Sequence, residues 1–169
     1  MIGVDEARLR LLALASPLPA IEVPVAQTVG YYLAADVIAK RTQPAADLSA
    51  MDGYAIRFAD MPGPWHVTGE SAAGRPFTGS LGAGEAVRTF TGAHVPDGAD
   101  SILIQEEAGR DGDTLTLTGE GPSASGAHIR RQGGDFWGGE HLLEAGTRLN
   151  AGAIAAAVMA GYGTLQVGG

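Results

Sequence analysis

The chain has 169 residues, enough for one large or two small domains, and its 45% hydrophobic against 18% charged residues exclude a disordered chain. With no cysteine, disulfides, thiolate-held zinc, iron–sulfur clusters and a thiol nucleophile are excluded. The 19 acids outnumber the 11 bases for a net charge of −8, which argues against nucleic-acid binding because phosphates would be repelled.

The 26 glycines and 9 prolines predict many turns, hence short strands and a β-rich fold. Val4, Ala7, Leu11, Leu12 and Ala15 share one helical face, with Asp5 and Glu6 in the first turn. That predicts an N-terminal amphipathic helix, ended by Ser16-Pro17-Leu18-Pro19. The apolar run Leu11–Ala15 is too short for a signal segment, and no stretch reaches the roughly 18 apolar residues of a membrane span. A cytoplasmic protein without a membrane partner is expected.

Pro24 is read as opening a second short helix through Tyr31. Asp36–Ala39 reads as extended. From Tyr54 the period changes: Tyr54, Ile56 and Phe58 alternate with Ala55 and Arg57, as in a strand. Trp65–Gly69 and Glu85–Phe90 read as further strands around the loop Ala72–Gly84. Pro96-Asp97-Gly98 predicts a type I turn with Pro96 second and Gly98 fourth. Ser101–Gln105 and Thr114–Thr118 are the expected hairpin, with Gly109–Asp113 as its loop. Asn150 should cap a helix through Ala160, stopped by Gly161, before a last strand at Leu165–Val167. Helical or mixed segments thus flank a β-rich middle near residues 47–132. A chain that leaves one unit and returns to it predicts a discontinuous first domain with an inserted β domain.

Generic chemical motifs are absent. His66, His94, His128 and His141 show no i, i+4 pair, and the only lysine, Lys40, sits in no phosphate loop. Three short polar loops remain. Ser49-Ala50-Met51-Asp52-Gly53-Tyr54-Ala55 places an acid before a strand, with Gly53 giving the backbone freedom to present it. Thr89-Phe90-Thr91-Gly92-Ala93 places a hydroxyl and a glycine at a strand end, where free amides can meet an anion. Ile129-Arg130-Arg131-Gln132-Gly133-Gly134-Asp135 sets two arginines, suited to phosphate, near a carboxylate. The plain alternative is a turn cap at Asp52, a local bond at Thr91 and surface arginines.

Together these loops resemble the N-terminal half of the molybdopterin molybdotransferase family, to which MoeA and the E domain of gephyrin belong. The matching strings are Ser49–Ala55, Gly84–Ala93, Val95–Asp100, Gln105-Glu106, Ile129–Asp135 and Gly139–Leu149, in family order. The resemblance implies an α+β, β-rich fold. A discontinuous first, dimerisation domain (1–44 and 136–169) would hold an inserted barrel-like β domain (45–135). The family's third and fourth domains would be absent.

It also implies a role in molybdenum cofactor biosynthesis. Molybdate is inserted into adenylylated molybdopterin, AMP is released and a magnesium ion assists, while this chain supplies one wall of the site and is inactive alone. The implied catalytic positions are Asp52, Thr91 and Asp135; Arg130 and Arg131 would be cofactor-binding, holding phosphate or the pterin tail; no metal ligand is assigned. A homodimer, and contact with other molybdenum cofactor enzymes, are the implied partners. The alternative is a non-catalytic relative serving as a dimerisation, pterin-binding or partner-binding module. Two departures stand out: Ala46-Asp47-Leu48 replaces the usual Phe-Asp-Asn, and Gly133-Gly134-Asp135 the usual Gly-Glu-Asp.

Overall fold

The computed structural model describes residues 2–16 and 18–168. In chain order its first elements are helix α1 (Val4–Leu12) and strands β1 (Ile21–Pro24), β2 (Tyr32–Leu33), β3 (Val37–Ile38), β4 (Leu48–Ser49) and β5 (Gly53–Ile56). Next come β6 (Trp65–Ser71), β7 (Glu85–Thr89), β8 (Ser101–Ile104), β9 (Ala108–Asp111) and β10 (Thr114–Leu117). The last are β11 (Ile129–Arg130), β12 (His141–Leu143), helix α2 (Ala151–Met159) and β13 (Thr164–Gly168). This is the β-rich architecture that the glycine and proline content predicts, in the α+β class that the resemblance implies. No helix among the described residues is long and apolar enough to cross a membrane. The chain divides into two compact units, Met1–Arg41 with Gly138–Gly169, and Thr42–Trp137.

In the first unit the two ends of the chain pair. β1 runs antiparallel to β13, Ile21 opposite Val167 and Pro24 opposite Thr164, and β2 flanks β13 on its other side. β3 pairs with β12. Asn150 Oδ1 accepts the Ala153 N–H at 2.9 Å and so caps α2, as its residue type predicts. At the other end Gly161 takes φ +100°, Tyr162 N–H bonds Ala157 O and Gly161 N–H bonds Val158 O, a Schellman stop. Arg41 adds a cation there, donating to the Met159 and Val158 carbonyls at 2.7 and 3.1 Å.

The face of α2 that packs inward is built of Ala153, Ala157 and Ala160. By contrast α1 buries nothing: Leu9, Leu11 and Leu12 are all more than half exposed. Pro17, within the expected helix stop, lies outside the described residues. The helix expected from Pro24 through Tyr31 is a single 3₁₀ turn, Val25–Gln27, and Pro24 ends β1 instead. The buried Thr28 closes that turn, its hydroxyl and N–H both donating to the Val25 carbonyl.

The second unit holds a six-stranded sheet in the order β8-β5-β7-β6-β10-β9, antiparallel except for β6 beside β7, and a two-stranded β4–β11 ladder. Tyr54, Ile56, Trp65, Val67, Ala86, Leu103 and Leu115 form its core. β5 is buried at all four residues, so its true signature is an apolar run rather than alternation. The strand ends at Ile56; Phe58 begins a 3₁₀ turn whose first N–H is taken by Asp100 Oδ1 at 2.7 Å.

The expected hairpin also re-pairs. Thr114–Leu117 folds back on Ala108–Asp111 through Gly112-Asp113, while Ser101–Ile104 pairs with β5 at the far edge of the sheet. Ser101, Ile102 and Leu103 are all buried, and at this edge the Ile102 N–H, turned away from β5, is taken by the Ala127 carbonyl. At Pro96 the turn is shifted by one residue: Ala99 N–H bonds Pro96 O and Gly98 takes φ +88°, the third-position glycine of a type II turn.

Candidate functional site

Ser49 organises the first loop. Its N–H bonds Ala93 O, its carbonyl accepts the Gly92 N–H, and the Ala50 N–H bonds His128 O. The short β4 strand is therefore held between the Thr91 turn and the approach to β11. The next turn delivers Asp52 to the start of β5, where the Asp52 carbonyl accepts the Gln105 N–H at 3.0 Å.

Asp52 and Thr91 meet directly, 39 residues apart in sequence. Asp52 Oδ1 accepts the Thr91 N–H at 2.8 Å and its hydroxyl at 2.9 Å. The Thr91 N–H, then the Thr91 hydroxyl, hold the Asp52 carboxyl below its usual range, with the positive charge of Arg88 adding to the effect. The Thr91 amide, read from sequence as open to an outside anion, is thus already given to the carboxylate.

Gly53 has a different reason from the one its flexibility suggests. A Cβ there would lie 2.1 Å from the Leu103 carbonyl oxygen, so glycine is needed for the close approach of β8.

The third loop forms a second couple. Arg130 Nη2 pairs with Asp135 Oδ2 at 2.6 Å. Arg131 does not join it; its Nη1 pairs with Asp47 Oδ2 at 2.6 Å, and Gln132 N–H donates to Asp47 Oδ1 at 2.7 Å. Burial pushes the Asp47 carboxyl up, but the Gln132 N–H and Arg131 outweigh it and its pKa is lowered. Gly133, at φ +70°, turns the chain beneath the Trp137 ring, which a Cβ would strike. The β4–β11 ladder, Leu48 opposite Arg130 and Ser49 opposite Ile129, links the two couples through the backbone.

So Asp52 joins Thr91, Arg130 joins Asp135, and Arg131 is drawn away to Asp47. Sequence reasoning missed Asp47 as an anchor, although it stands within a departure from the family pattern. It also missed Arg88 and Gln105, which lie inside matching strings but carry no motif of their own.

No group of three or more His, Cys, Asp or Glu among the described residues could enclose a metal. A magnesium ion needs less, since it keeps waters and takes one or two carboxylates plus substrate phosphate oxygens. Asp52 fits that need: Oδ1 is anchored by Thr91, and Oδ2 has no hydrogen-bond partner among the described residues.

Comparison with known proteins gives a consistent result. Residues 2–161 match the family model described as the MoeA N-terminal region, domain I and II. A molybdopterin molybdenumtransferase of Staphylococcus aureus is 33% identical over 173 aligned residues, which cover 98% of this chain and 41% of that protein. The molybdopterin molybdenumtransferase of Haemophilus influenzae is 32% identical, covering 99% of this chain and 41% of that one. A crystal structure of the molybdopterin biosynthesis MoeA protein from Pyrococcus horikoshii OT3 superposes with a TM-score of 0.87 at 30% identity, over 99% of this chain and 46% of that one. The chain thus spans about 41% of the length of these curated relatives.

Proposed function

This chain belongs to the family of the MoeA N-terminal region, and from that premise we propose that it takes part in molybdenum cofactor biosynthesis as one wall of a molybdopterin molybdotransferase site. There molybdate would be inserted into adenylylated molybdopterin with release of AMP. The observation that carries the reading is the Asp52–Thr91 clasp, a half-buried carboxylate whose Oδ1 is fixed by two hydrogen bonds.

A pyrophosphate cannot approach a bare carboxylate without repulsion. A magnesium ion bound there would supply the bridging positive charge. Asp52 would hold it through Oδ2, with Thr91 fixing the carboxylate's orientation. Arg130 keeps further guanidinium donors beside its bond to Asp135 and is half exposed, so it can accept a phosphate edge. Arg131 supports the loop by its bond to Asp47 and can lend only its remaining donors to a ligand.

The reading carries a cytoplasmic location and a homodimer with it. In favour of the dimer are the uncovered leucines of α1 and the exposed Val158 and Met159 on α2. The first unit would then be the dimerisation domain and the second the inserted β domain.

The test is molybdate insertion by the enzyme that contains this chain. Asp52→Asn should lower the turnover rate roughly 100-fold, the scale seen when a preorganised charge is removed from a reaction site. Its folding free energy should move by no more than about 1 kcal/mol, as befits a partly exposed side chain. Insertion at the wild-type rate overturns the reading.

A further inference from the structure

We propose that Arg88 is a positioning residue for the Asp52–Thr91 pair, pinning together the two chain segments that carry them. The proposal rests on the functional reading above, but its geometry is independent of it.

Arg88 lies on β7 directly opposite Tyr54 on β5. Its guanidinium carbon is 5.1 Å from the centre of the Tyr54 ring and 4.8 Å from that of Phe90. Tyr54 is two residues after Asp52, and Phe90 is the residue before Thr91. The cation therefore contacts one ring from each segment of the clasp.

Its donors extend the same function. Nη1 reaches the Gly53 carbonyl at 3.3 Å, next to Asp52, and Nη2 reaches Gln105 Oε1 at 2.8 Å. Gln105 in turn donates its own N–H to the Asp52 carbonyl. The peptide units around Asp52 are thus held from both sides, on Gly53 by Arg88 and on Asp52 by the residue Arg88 bonds. A planar cation with several donors can serve two rings and two oxygens at once, which an ammonium cannot. The bracket adds a side-chain tie to the backbone ladder that pairs Gly53 with Thr89 and to the Ser49 carbonyl's hold on Gly92.

The experiment compares the wild-type protein with Arg88→Gln and Arg88→Lys. Amide hydrogen exchange of Thr91 and Gln105 reads the clasp, and that of Leu115, in the distant part of the sheet, reports global stability. In Arg88→Gln the Thr91 and Gln105 amides should exchange roughly tenfold faster with Leu115 unchanged, the loss of about one good hydrogen bond's worth of local protection. Arg88→Lys keeps the charge but not the planar fork, so it should leave the fast Thr91 exchange.

In the insertion assay kcat should fall in both variants, with KM moving less than about twofold, as for a group that orients rather than binds. Wild-type exchange at Thr91 and Gln105 in Arg88→Gln overturns the pin. If that variant does not fold, Arg88→Lys decides: fast Thr91 exchange supports the pin, and wild-type exchange overturns it. An Asp52→Asn enzyme with full activity overturns the functional reading, and with it Arg88's part in a reaction, without altering these exchange rates.

Discussion

At the scale of single residues, the site is made by hydrogen bonds that the side chains give one another. Thr91 gives two donors to one oxygen of Asp52, which favours the ionised carboxylate in the folded chain. Because its pKa is lowered on folding, the stability Asp52 contributes is present above the unfolded value of about 3.9 and is lost as pH falls through the lower folded value. An NMR titration of the Thr91 amide should therefore show its midpoint below about 3.9, the ordinary aspartate value. A midpoint at or above that value would sink the clasp.

Gly53 gives a second residue-scale prediction. Gly53→Ala drives a methyl group into the Leu103 carbonyl, which is backbone and cannot swing aside. The cost should be about 2 kcal/mol or more in denaturant unfolding, because overpacking in a strand must move the ladder itself. A loss under about 0.5 kcal/mol, the range of ordinary surface changes, would show that β8 yields easily.

Elements differ in how openly they announce themselves. Helix α2 was fully legible because both its ends use local chemistry: an Asn cap that accepts the Ala153 N–H, and a glycine that can adopt φ +100°. Asn150→Ala should accordingly lower stability by about 1 kcal/mol in thermal or denaturant unfolding. No change would mean that packing of Ala153 and Ala157 alone sets the helix start.

The strands were legible as strands, but their partners were not. Sequence alone pairs Thr114–Thr118 with Ser101–Gln105, the nearest clear apolar run before it, whereas the chain pairs it with β9. The true partner, Ala108-Gly109-Arg110-Asp111, contains no β-branched residue and lacks an apolar face, so periodicity does not reveal it. Likewise the three polar loops stood out as segments, while their pairing did not. Nothing in the residue types told that Arg131 would leave its neighbour Asp135 for Asp47, 84 residues away.

For the molecule as a whole, apolar surface poses the remaining question. Helix α2 is apolar around its whole circumference, and α1 with the turn after it carries three further leucines, Leu11, Leu12 and Leu14. All of this stays open to solvent: Leu11 is 69%, Leu12 59% and Leu14 82% exposed, and on α2 Val158 is 44% exposed. Leucines on an amphipathic helix that stay more than half exposed among the described residues form a surface suited to a partner. The acidic total charge of −8 makes a second copy repel at long range, so close association must come from this apolar contact rather than from opposite charge. The protein should therefore sediment as a dimer at micromolar concentration, with association strengthened as added salt screens the like charges. Leu11→Glu should leave the fold intact, since the side chain is exposed in the single chain, with a stability change within about 0.5 kcal/mol. In the dimer the same carboxylate would be buried against apolar groups, and the dissociation constant should rise by roughly tenfold or more. Val158→Glu tests α2 in the same way. If wild-type protein is monomeric at that concentration, or if neither substitution weakens association, the apolar faces of α1 and α2 are not the dimer contact.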